Sequence, residues 1–146
     1  MESPLRCEFD ADKLELKSEI VFPAKVEKIA PVIEGLMGIV EAMKCAEGKE
    51  FEIEMALREA LVNAVVHGCK GDSAKNVQCC IACDEERGIL IVVRDPGPGF
   101  DPHTLPSPLK GENLFASHGR GIYLINQLMD EVSFRRGGTE IHMRKK

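Results

Sequence analysis

Three polar side chains recur at four-residue intervals along an otherwise apolar segment. They are Glu59, Asn63 and His67 in Glu59-Ala60-Leu61-Val62-Asn63-Ala64-Val65-Val66-His67. At about 100° per residue a helix gathers them into one narrow stripe. Ile53, Met55, Leu57, Leu61, Val62, Val65 and Val66 occupy most of the remaining circumference. A helix apolar nearly all round is buried, and a carboxylate or carboxamide buried there is costly unless something pairs with it. The stripe therefore reads as the wall of a polar cavity that holds a ligand. A solvated stripe extended by Arg58 is the plainer alternative.

Two glycine-rich runs offer complementary chemistry. Asp95-Pro96-Gly97-Pro98-Gly99-Phe100 follows the strongest strand pattern in the chain. Its glycines let the backbone turn tightly and approach a ligand with no Cβ in the way. An aspartate at the strand's end can accept a hydrogen bond from an exocyclic amine such as adenine's. Gly119-Arg120-Gly121 directly precedes a predicted helix, where exposed amides and the helix dipole favour an anion. Arg120 can add a charge-assisted bond to phosphate oxygens. Each run taken singly is also an ordinary turn or helix-start loop. His118 reads as a polar loop residue rather than a catalyst.

The elements that must position these residues follow from periodicity. Leu14 to Phe22 alternates as a strand ended by Pro23. From Ala24 to about Ala46 the positions Val26, Ile29, Val32, Ile33, Leu36, Met37, Ile39, Val40 and Met43 recur at helical spacing. Pro31 predicts a kink or a late start there, and Gly48 predicts the end. A second helix runs from about Glu50 to His67. The run 76–83 and Ile89–Val93 form a hairpin. Residues 100–118, proline-rich and without a period, have the character of a functional lid. A short helix over 121–129 and two closing strands, around 131–135 and 139–144, complete the order β-α-α-β-β-loop-α-β-β. That order suits an α/β two-layer sandwich, a mixed and mainly antiparallel sheet with helices on one face. Residues 1–13 are polar and predict a flexible N-terminus, leaving 14–146 as one domain.

Composition narrows the function classes. Hydrophobic residues make up 44% and charged residues 29%, and the formal charge is -5. With no long basic run to offset that charge, direct nucleic-acid binding is not expected. No apolar run nears the ~20 residues a membrane helix needs, and the N-terminus lacks a secretion signal's pattern, so a cytoplasmic location is expected. The chain has six cysteines. In the 76–83 run, Cys79 and Cys83 share one face and Cys80 the other, a poor metal clamp. In a cytosolic chain they are expected to be structural thiols.

Taken together and in this order, Glu-x-x-x-Asn, the strand ending in Asp-x-Gly-x-Gly, the long loop, Gly-x-Gly and a Gly-Thr strand resemble the GHKL (gyrase, Hsp90, histidine kinase, MutL) ATPase superfamily, or Bergerat fold. Asn63-Ala64-Val65-Val66-His67-Gly68 and Leu128-Met129-Asp130-Glu131-Val132 are similar to the patterns of its anti-sigma factor serine/threonine kinases, the SpoIIAB/RsbW type. The resemblance implies ATP and Mg²⁺ as cofactors. It implies that Asn63 coordinates the ion, a carboxamide oxygen being a suitable hard ligand, and that Glu59 is the general base. Asp95 would bind the adenine amino group, with Gly97 and Gly99 allowing close passage beside the base. Gly119 and Gly121 would give phosphate-binding amides, and Thr139 would support the adenine. His67 matches a recurrent family position and either touches ligand or caps the helix. Placing Arg120 near the γ-phosphate is an inference from its charge and position alone.

No upstream helix carries a phosphoacceptor histidine with an acidic neighbour, which argues against a sensor histidine kinase. The chain is also too short for the transducer domain of gyrase-like machines. The implied activity is phosphorylation of a STAS-type anti-sigma factor antagonist, with a sigma factor as a second partner under partner switching. The alternative is a nucleotide-gated binding module that transfers nothing. A homodimer is open, because the 29–43 helix has apolar positions that either pair two chains or fill this chain's own core.

Overall fold

A computed structural model describes residues 14–44, 46–84, 88–97 and 117–146, without the side chains of 14–17, 43, 84 and 117–120. The expected flexible terminus (1–13), Gly99 and the lid up to residue 116 lie outside the described residues, as do the side chains of His118 and Arg120.

Five strands form one sheet in the order β1-β2-β3-β5-β4. They are β1 (Leu14–Pro23), β2 (Asn76–Asp84), β3 (Gly88–Arg94), β4 (Glu131–Arg135) and β5 (Glu140–Lys145). Every pairing is antiparallel, so among the described residues the sheet is not mixed. The two hairpins, β2–β3 and β4–β5, dock side by side through β3 and β5. The helices α1 (Val26–Met43), α2 (Glu50–Val62) and α3 (Ser117–Leu128) all contribute to one apolar core on one face of the sheet. Among the described residues no helix is long and apolar enough to cross a membrane.

Strand alternation decides what each face receives. Ile89, Ile91 and Val93 of β3 point to the helices, meeting Leu57, Leu61 and Val65 from the second helix and Ile33, Leu36 and Val40 from the first. Leu90 and Val92 point the other way and join Cys80 and Ala82 in a separate small cluster.

The first helix differs from the sequence pattern at two places. Helix α1 passes through Pro31, which lies exposed; there the carbonyl left without a donor can turn to water. The helix stops before Gly48, at Lys44, whose φ of 56° ends the helical geometry while its amide donates to Glu41 O and Val40 O. Gly48, at φ 83°, shapes the turn that follows. Of the apolar positions on α1, Ile29, Val32, Ile33, Leu36, Met37 and Val40 fill this chain's own core, whereas Ile39 and Val26 are exposed.

The cysteines divide. Cys69 and Cys79 are free and buried, and burial pushes the Cys79 thiol up to about 12. Cys80 and Cys83, in contrast, are disulfide-bonded, which corrects the expectation of thiols throughout. That expectation weighed the local run and an expected cytosolic setting. Cys7 and Cys45 lie outside the described residues.

Candidate functional site

The second helix changes character where its polar stripe begins to matter. It is α-helical to Val62 and then widens into a π-helical turn over Asn63–Gly68, with Cys69 N–H donating back five residues to Ala64 O at 2.8 Å. Such turns are uncommon and concentrate at functional sites. Within and beside this turn, Asn63, Ala64, His67 and Gly68 all line one cavity. Small side chains at Ala60, Ala64 and Gly68 leave the room, while Asn63 and His67 bring the polar groups.

The opposite wall is the end of the sheet. Val93, Asp95 and Ile141 line the cavity from the paired strands, and Phe134, Gly138 and Thr139 line it from β4 and the turn into β5. Asp95 N–H donates to Thr139 O at 2.9 Å, tying the two strand ends together. Asp95 also accepts the Gly97 amide on Oδ1 at 2.8 Å. That fixes its carboxylate on the cavity wall.

The glycines act by close approach. A Cβ on Gly97 would stand 2.1 Å from Gly68 O, and one on Gly68 would stand 2.4 Å from the Asp95 carboxyl carbon. The two glycines therefore let the Asp95 loop lie directly against the end of the π-helical turn. Gly68 has no site role in the sequence pattern, where it only closes the Asn63–Gly68 run. Its adjacency to His67 in the quoted pattern was the available signal.

Helix α3 packs beside the second helix near Glu59 and Asn63. It begins at Ser117, four residues before the predicted start. Gly119 then falls among the first amides that lack an intrahelical acceptor, and Gly121 falls past them. Gly121 has a different effect: a Cβ there would stand 2.9 Å from Glu59 Oε2 and 3.4 Å from Asn63 Oδ1. Glu59 and Asn63 thus converge on the same point of α3. Glu59 itself is not among the residues lining the cavity; it stands beside Asn63 at the α3 side.

Two further groups are limited by their surroundings. Thr139 Oγ1 donates to Arg136 O at 2.8 Å, so its hydroxyl hydrogen holds its own turn and its lone pairs face outward as acceptors. Burial, and next the Asp95 charge, push the Cys69 thiol above its ordinary value. Cys69 is therefore a protonated packing residue, not a nucleophile.

The site thus combines a cavity walled by Asp95 and Asn63 with the Glu59–Asn63 pair that meets α3 at Gly121. Residues 22–145 match the histidine kinase-like ATPase domain. The chain belongs to that family. Its relatives include the serine-protein kinase RsbW of Bacillus licheniformis, 34% identical over 128 residues, covering 84% of this chain and 77% of the relative. RsbW of Bacillus mycoides (strain KBAB4) is 31% identical over 122 residues, covering 80% and 75%. RsbW of Bacillus cereus (strain Q1) stands at the same values. Within the family the chain is of the RsbW serine-protein kinase type.

Among the described residues no group of three or more His, Cys, Asp or Glu could hold a metal by itself. On the helix side of the cavity Asn63 offers a hard oxygen, with Glu59 a turn away. That sparse donor set fits Mg²⁺, which usually takes one or two protein oxygens and completes its shell with phosphates and water.

Proposed function

We propose that this protein is an ATP- and Mg²⁺-dependent kinase that phosphorylates a serine or threonine of a STAS-type anti-sigma factor antagonist, and that it holds a sigma factor when the antagonist is phosphorylated. The observation that carries the reading is the convergence of Glu59 and Asn63 on Gly121, at the side of a cavity that ends in Asp95. The relatives' name, serine-protein kinase, supports it.

Each residue then has a role set by its chemistry. Asp95 accepts the adenine amino group, and Thr139, whose hydroxyl hydrogen is given to Arg136 O, supports the base by accepting from that amine or from a bridging water. Val93, Ile141 and Phe134 cover the base with apolar surface. The phosphates run toward the start of α3, where Gly119 and its neighbours present unpaired amides. Asn63 would hold Mg²⁺, which when bound neutralises phosphate charge. Glu59 takes the proton from the partner's hydroxyl as its oxygen bonds the γ-phosphorus; the bond to the β,γ-bridging oxygen breaks and ADP departs. The protein's part is positioning and charge placement rather than covalent chemistry. Its setting is the cytoplasm, where sigma factors act.

The test incubates the purified protein with γ-labelled ATP and candidate STAS antagonists. Acid-stable label on the antagonist is expected. Label that never leaves ATP while nucleotide binds overturns the kinase reading and leaves a nucleotide-gated binding module. Acid-labile label points to phosphohistidine and overturns the serine/threonine assignment.

A further inference from the structure

We propose that Glu140 is a positioning residue for the nucleotide cavity, acting through a buried charge cluster on the opposite face of the sheet. The proposal rests on the nucleotide reading above. Arg94 and Glu140 are register partners at the joined ends of β3 and β5. Their chain neighbours Val93, Asp95, Thr139 and Ile141 all line the cavity. Because side chains alternate along a strand, the pair faces away from the nucleotide while its flanking residues face it.

The cluster is dry and directional. Arg94 Nε donates to Glu140 Oε2 at 2.7 Å, and His142 Nε2 lies 2.6 Å from Glu140 Oε1. Arg94, Glu140 and His142 are exposed by only 4%, 6% and 5%. An ionised carboxylate only accepts, so Nε2 carries the hydrogen of that bond. One carboxylate therefore grips β3 through Arg94 and its own strand through His142. Immediately beyond it comes the Asp95 N–H to Thr139 O bond, so the ion cluster and that bond are successive ties between the same two strand ends.

The turn that leads into Glu140 explains why such a tie is needed. Arg136, Gly137 and Gly138 all have left-handed backbones, with φ of 56°, 68° and 89°. The turn's own backbone bonds are long, 3.2 Å from Gly138 N to Arg135 O and 3.4 Å from Thr139 N to Arg136 O. Gly138 and Thr139 form cavity wall within this turn, and Glu140 is the first strand residue after it. Apolar packing would bury the position without setting a direction, whereas a carboxylate shared between two donors sets one.

The cluster is also a poor device for stability alone. His142 Nδ1 is buried with no partner, a cost that apolar packing avoids. Buried ion clusters can often be replaced by apolar residues with no loss of stability. Charge retained behind the binding wall thus points to fixing the distance between Asp95 and Thr139.

The experiment compares wild type, Glu140→Gln and the double variant Arg94→Met with Glu140→Met, the last removing both charges so that none is left buried alone. ATP affinity is measured by calorimetry, folding by the thermal midpoint, and phosphoryl transfer by KM and kcat for ATP. Both variants are expected to fold and to bind ATP about tenfold more weakly, with kcat at saturating ATP within about twofold of wild type. A merely structural role would lower the thermal midpoint and the active fraction but leave the affinity of the folded fraction alone. If either folded variant binds ATP as wild type does, the positioning role is overturned. If wild type itself binds no ATP, the nucleotide reading falls, and this inference with it.

Discussion

The two faces of the sheet meet the same problem at the same end and answer it differently. On the helix face, Ile89, Ile91 and Val93 lie in a continuous apolar core, and polar groups enter at the end of β3, where Asp95 and Thr139 meet Asn63 across the cavity. On the opposite face, Cys80, Ala82, Leu90 and Val92 make a small apolar cluster that gives way, at that same end, to Arg94, Glu140 and His142. One face leaves its polar groups open to a ligand; the other pairs them with each other. The lesson is that an open binding wall built on two strand ends and a left-handed turn is held from behind by directional bonds.

The comparison can be broken or sharpened by substitution. The largest effect is expected at Glu59. Glu59→Gln should lower phosphoryl transfer about a hundred- to ten-thousand-fold, the range of a positioned general base, while calorimetric ATP affinity stays near wild type. Transfer at the wild-type rate removes Glu59 from the chemistry. Next comes the glycine contact beneath Asp95. Gly97→Ala drives a Cβ toward a backbone oxygen, which cannot move aside as a side-chain tip can. It should cost about 1–3 kcal/mol of stability and weaken ATP binding, read from the thermal midpoint and from calorimetry.

The rear face is sharpened by acid. Burial raises the Glu140 carboxyl, but the hydrogen bonds from His142 and Arg94 and their charges outweigh it, so its net value lies below the ordinary 4.5. A group that binds its proton more weakly when folded stabilises the fold fully above its unfolded value, and that contribution fades as pH falls through the folded one. Thermal midpoints measured downward from about pH 5 should therefore fall more steeply for wild type than for Glu140→Gln. Equal slopes would show that the carboxylate is not held by the cluster.

The smallest effect separates α3 from both faces. In Gly121→Ala the added carbon meets the free end of Glu59, which can shift, while alanine gains about 1 kcal/mol over glycine inside a helix. The thermal midpoint should hold or rise slightly, and transfer should drop severalfold because Glu59 is displaced. A variant with unchanged transfer would mean that the contact between Gly121 and Glu59 does not set the base.

Much of this was legible before any coordinates. The period of the second helix marked Asn63 and His67 as a polar stripe, and both line the cavity. The unbroken apolar run 89–93 marked the central strand. The roles missed share one cause, contact between residues distant in sequence. Gly68 lies against Asp95 across 27 positions, and Arg94 pairs with Glu140 across 46. Neither partner choice follows from spacing. Phe134 could have been inferred from alternation along 131–135, but which face of that strand met the cavity depended on its register with β5. The disulfide-bonded state of Cys80 and Cys83 was missed for the same reason, since a strand's own spacing says nothing about which cysteines reach it from elsewhere.

Local physics is short-ranged, so the chain alone settled which segments would coil or extend, which side chains would be withdrawn from water, and which residue types could take a proton, an amine or an anion. Tertiary structure decided the meetings. The approach of Gly121 to Glu59 and the tie behind Asp95 each need a partner that only the docking of α3, or the antiparallel pairing of β3 with β5, brings within bonding distance. A hydrogen bond or a steric stop acts over a few ångströms, and no regularity along the chain specifies which distant residue will arrive at that range.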